Sequence, residues 1–192
     1  MPYVNRWGSE KGELLTIRHD PHVGGPAIFC DDEHETEPDF KAQNMQRQRE
    51  CVAAGLCQVC ARPIPWSRRF LVISGMSVEW VHVQTLGRTV PVVTEPWLDE
   101  RCARFAMERC PGLIRRARKA ELTLVPIRRQ KDTQLVVSRG WVEGELEEAS
   151  RELEPAMWCK IALPKLTIRK GPRGTGAGTG AGTERDTADP AR

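Results

Sequence analysis

No stretch of this chain approaches the ~18 consecutive apolar residues that a membrane-spanning helix requires, so the sequence predicts no transmembrane segment. The opening "MPYVNRWGSEKGE" has neither an apolar core nor a cleavage pattern, which argues against a secretory signal. The chain therefore reads as cytoplasmic, with no membrane partner. No internal repeat is evident. Bulky apolar side chains are nearly missing from residues 171–192, "GPRGTGAGTGAGTERDTADPAR". Such a segment cannot offset its ordering entropy and is expected to be a disordered tail. Its glycines are not read as a phosphate-binding loop, because no apolar strand leads into them and no helical pattern follows.

What is present is a chain of 192 residues with 40% hydrophobic and 29% charged residues and a net charge of +3. That length suits one domain with tails. Arginine dominates the bases: seven lysines leave 22 arginines. Charge is also segregated. Residues 31–50 carry seven acids against three bases, and residues 143–154 carry six against one. Residues 101–129 carry nine bases against two acids. A cluster of that kind is either a solvated face or a phosphate-binding one, for which arginine's planar fork is suited.

The organisation divides into a loop-rich segment over 1–38, an α+β domain over 39–170 and the tail over 171–192. "GELLTIRHD" reads as a short strand. "DFKAQNMQRQRECVAAGL" reads as a helix capped by Asp39 and stopped by Gly55. "RRFLVISG" and "VEWVHVQTLG" read as a hairpin turning at "SGMS", and "RTVPVVTEP" as an edge strand because of its prolines. "LDERCARFAMERC" reads as a helix capped near Asp99 and ended by "CPGL". "ELTLVPI", "TQLVVSRGWVEG" and "MWCKIALPKLTI" read as strands, with "ELEEASRELE" as a short exposed helix.

Seven cysteines, an odd number in a reducing compartment, point to metal or redox chemistry rather than a disulfide framework. Cys57 and Cys60 in "CQVCARPIP" can both face one ion from a tight turn. Thiolates suit zinc, and a redox dithiol would normally stand between a strand and a helix. Cys102 opens a helix, where the dipole favours a thiolate. Asp99 lies one turn before it on the same face and can also coordinate. The expected ligands of a structural Zn2+ are thus Cys57, Cys60, Asp99 and Cys102, with His82 or water as rivals of Asp99. Cys110 lies about 12 Å further along the helix, too far to share the ion, and reads as a packing or helix-end residue. Cys51 suits core packing, Cys30 and Cys159 lack partners in sequence, and His19 and His22 read as loop residues.

Two resemblances follow from these motifs. The run "CQVCARPIP … FLVISG … EPWLDERCARFAMERCPGL" resembles uncharacterised actinobacterial and actinophage zinc-binding proteins with a Cys-x-x-Cys knuckle, a Pro-Leu-His-x-x-Cys-Ala segment and a Cys-Pro-x-Leu ending. Asp99 stands where that pattern has histidine. The likeness spans roughly residues 45–115 and implies a treble-clef zinc core rather than an activity. The layout also resembles HNH endonucleases, which implies His82 as a general base. Val81 stands beside it, however, and neither histidine nor asparagine follows before the cysteine-bearing helix to hold a catalytic metal.

Three functions follow as expectations. The first is a non-enzymatic zinc-binding module that contacts DNA or RNA through Arg101, Arg104, Arg115, Arg116, Arg118 and Lys119, or contacts a protein partner, in a bacterial or phage context. The second is an HNH-like metal-dependent endonuclease, degenerate or active through His82. The third is a structural or interaction accessory protein whose six tryptophans, against one tyrosine, include exposed anchors.

Overall fold

The computed structural model describes residues 2–10, 15–30, 36–74, 77–119, 121–139 and 154–166. The tail over 171–192 and the helix expected at "ELEEASRELE" lie outside the described residues. Among the described residues the fold is mixed α+β, with three helices and three sheets.

The largest sheet is built around β11 (Ala156–Ala162). β10 (Gln134–Arg139) pairs antiparallel along its length. β3 (Gly25–Phe29) meets its start, with Ala27 opposite Ala156, and β7 (Arg88–Val93) meets its end. β2 (Thr16–Asp20) adds to β3, and β6 (Val78–Val83) to β7. A three-stranded sheet has β5 (Arg69–Ser74) at its centre, between β8 (Leu98–Asp99) and β9 (Leu122–Ile127). β1 (Asn5–Trp7) pairs with β4 (Pro38–Gln43). One core of Val52, Leu71, Val93, Trp97, Ile161 and Leu163 joins these layers.

The structure corrects several local expectations. The first helix, α1, runs Met45–Ala54 and is capped by Asn44, whose side-chain oxygen accepts from the Arg47 N–H at 3.0 Å. Asp39 lies instead in β4, facing Arg6 at 3.7 Å, because pairing with β1 holds that segment extended. The helix does end at Gly55, in the left-handed conformation with φ 70°. The hairpin is β6–β7, not β5–β6. Gly87 adopts φ 61° in that turn, whereas the apolar β5 buries itself between two other strands. β7 is interior rather than an edge. Its Pro91 sits where the β7–β11 ladder runs out, so the missing N–H interrupts nothing beyond it. α2 (Glu100–Arg109) is capped by Asp99 as expected, but "CPGL" also opens a further helix, α3 (Pro111–Arg118), with proline at a first-turn position that needs no N–H.

α1 is the least conventional part of the interior. Its Arg47, Gln48 and Arg49 are buried, although their types read as a solvent face. Each finds partners. Arg49 pairs with Asp20 at 2.7 Å and donates to the Ile28 and Met157 carbonyls at 2.7 and 3.0 Å. Gln48 donates to the Thr94 and Cys159 carbonyls and accepts from the Cys159 N–H. Arg47 pairs with Glu10. These bonds tie α1 to β2, β3 and β11 and aim its C-terminus at the cysteine pair.

Candidate metal centre

The chain leaves Gly55 and enters a tight knuckle. Leu56 and Pro63 form an isolated bridge, the Cys57 N–H donates to the Arg62 carbonyl at 2.9 Å, and the Ala61 N–H donates back to Cys57 at 2.8 Å. Ala61 takes a left-handed φ of 56°, which lets so short a loop turn both thiols the same way. The outer arm is pinned from two sides. Gln58 donates to the Trp97 carbonyl at 2.9 Å, while the N–H groups of Tyr3 and Val4 donate to Val59 and Gln58. Behind the knuckle, Trp66 meets Trp97 edge to face at 5.6 Å, and the Trp97 indole donates to the Val52 carbonyl.

β8 runs from this tryptophan into α2 and delivers Cys102 to the first helical turn. The Sγ atoms of Cys57, Cys60 and Cys102 all lie within 4.8 Å of one another, close enough to hold one metal ion. Cys57 is buried, Cys102 half-buried and Cys60 exposed. The Cys60 and Cys102 thiols shift in opposite directions. Burial raises the Cys60 thiol, but a backbone hydrogen bond from Arg62 and the neighbouring Cys57 and Cys102 thiols outweigh it and bring it below its ordinary value. Burial, then Cys57 and Cys60, push Cys102 up to about 12. A divalent ion held by the three sulfurs would offset the repulsion between thiolates this close together.

Asp99 borders the same cleft but is not one of the three clustered ligands. Its Oδ1 accepts from the Arg101 N–H at 3.0 Å and its Oδ2 faces Arg68 at 2.9 Å. His82 is exposed on β6, opposite Thr89, and lies outside the thiol group. Cys110 caps the junction of α2 and α3 and is exposed, a helix-end residue rather than a packing one. Cys51 and Cys159 are core residues, and Cys30 is half-buried. His19 lies on β2, and His22 lies in the turn that follows, where its N–H donates to Asp20. Of the basic residues singled out in the sequence, Arg101, Arg115, Arg118 and Lys119 are exposed on or just beyond α2 and α3. Arg104 pairs with Glu100, and Arg116 is half-buried near Glu95.

Sequence reasoning missed the part played by Arg69. Its guanidinium lies 3.8 Å from the centre of the Trp66 ring and its Nε donates to the Ile64 carbonyl at 2.9 Å, bracing the loop just past the knuckle. Two tryptophans that follow the x-x-spaced cysteine pair, Trp66 and Trp97, with Arg69 between them in sequence, were the available signal. No protein-family model, curated protein or solved structure matches this chain. No helix among the described residues is long and apolar enough to cross a membrane.

Proposed function

We propose that this chain is a non-enzymatic zinc-binding module, of the bacterial or phage kind its motifs resemble, that contacts nucleic acid beside its metal centre. The convergence of Cys57, Cys60 and Cys102 carries the reading. Three thiolates on a rigid knuckle and a helix N-terminus suit zinc better than harder ions. The order of knuckle, β6–β7 hairpin and ligand-bearing helix supports a treble-clef arrangement, with the ion tying the knuckle to α2.

The exposed bases along α2 and α3 support the nucleic-acid partner, since α2 starts at the metal centre and packs on α3. Phosphate contacts of this type are sequence-independent and weaken steeply with salt. Affinity for a duplex oligonucleotide, measured across a salt series, tests this. The expected result is a log–log slope that falls by about one for each of Arg101, Arg115 and Arg118 changed to alanine. No retention on DNA or RNA at low salt contradicts the nucleic-acid reading and leaves the zinc reading to its own test.

A further inference from the structure

Three cysteine sulfurs lie within 4.8 Å of one another, and the carboxylate that borders their cleft, Asp99, is turned to other partners. Both oxygens of Asp99 are engaged, one by the Arg101 N–H and one by Arg68. The exposed thiol, Cys60, forms one wall of a cleft together with Cys102, Asp99, Arg62, Arg68 and Arg101. An ion held by the three sulfurs would therefore border this cleft, which Cys60 and Cys102 line.

The charge of the cleft selects what approaches. Zinc with three thiolates carries one net negative charge, which by itself disfavours an anion. Three guanidiniums, one of them shared with Asp99, reverse the sign and leave the assembly net positive. Arg62 and Arg101 make no ion pair among the described residues. Guanidinium forks match the oxygens of a phosphate group, and a metal with an open position accepts one such oxygen. We propose that the fourth position of the metal is open to this cleft and takes a phosphate oxygen, with Arg62 and Arg101 holding the rest of the group. This rests on the zinc reading and adds a ligand class to it. The step is ligand exchange: a water leaves the ion as the oxygen binds, and no covalent bond to the phosphate is broken.

The test uses the full chain loaded with Co2+ in place of zinc, whose visible absorption reports the coordination sphere. Inorganic phosphate and dimethyl phosphate are titrated separately. The expected result is a saturable shift of the cobalt bands, weakened about tenfold or more in Arg62→Ala/Arg101→Ala while cobalt is retained, as loss of charge-assisted hydrogen bonds predicts. Asp99→Asn, which keeps a capping oxygen, leaves the bands unchanged. A response to both probes supports a phosphodiester ligand; a response to inorganic phosphate alone supports a free phosphate or terminal monoester. Bands indifferent to both probes, or displaced by Asp99→Asn alone, overturn the open site. Failure to bind cobalt at all overturns the metal reading beneath it.

Discussion

An alanine at position 55 would place its Cβ 1.9 Å from Nη2 of Arg69. Gly55 thus does two things at once. It provides the left-handed residue that ends α1, and it leaves room for the guanidinium that stacks on Trp66 behind the cysteine knuckle. The helix stop and the bracing of the loop that follows the knuckle are one packing arrangement. Gly55→Ala should therefore cost more than the ~1–2 kcal/mol of a left-handed alanine, because Arg69 must also move. Urea unfolding measures the loss, and Arg69→Ala combined with Gly55→Ala should recover part of it. A Gly55→Ala variant as stable as the wild type would refute the arrangement.

The Arg49–Asp20 pair predicts a second stability effect. Both side chains are almost wholly buried, and Arg49 also holds two strand carbonyls. Arg49→Met leaves Asp20 without its ionic partner in the interior and should destabilise the fold by about 3–5 kcal/mol. Changing Asp20 to asparagine in the same protein should restore part of that loss. Thermal unfolding of the two single variants and the double variant measures the coupling.

Thiol reactivity should divide the cysteines by their surroundings. Burial pushes the Cys159 thiol from 9.0 up to about 11, and pushes Cys51 up as well. Native protein treated with iodoacetamide at neutral pH should leave these two unmodified while exposed Cys110 reacts. A raised folded value favours the protonated form. Its contribution to stability is whole below the ordinary thiol range and is lost as pH rises towards about 11. A Cys159→Ala variant should accordingly lose less stability than wild type over that alkaline interval, as measured by urea unfolding at stepped pH.

How much was legible in the sequence depended on how local the cause was. The knuckle, the cap at Asp99 and the stop at Gly55 follow from a few neighbouring residues, and each lies where the sequence placed it. Asp39 failed as a cap because a strand 34 residues away, seen in the Asn5–Asp39 bond, claims its segment. The partners of β5 could not be read locally, since β9 lies some fifty residues on. The burial of Arg47, Gln48 and Arg49 was illegible for a related reason. A polar run looks solvent-facing until the distant carbonyls and carboxylates that satisfy it are known. At the cysteine cluster, the spacing of Asp99 and Cys102 and the cap at Asp99 were visible, but not that Arg68 would occupy the other carboxylate oxygen.

Metal content tests the central claim most directly. The full chain, purified without added metal and analysed by elemental mass spectrometry, should carry one zinc per molecule. Cys57→Ala and Cys102→Ala should each lose it, while Asp99→Asn should keep it. Wild-type protein that is folded by circular dichroism yet carries no zinc, and takes up none when it is supplied, would contradict the account.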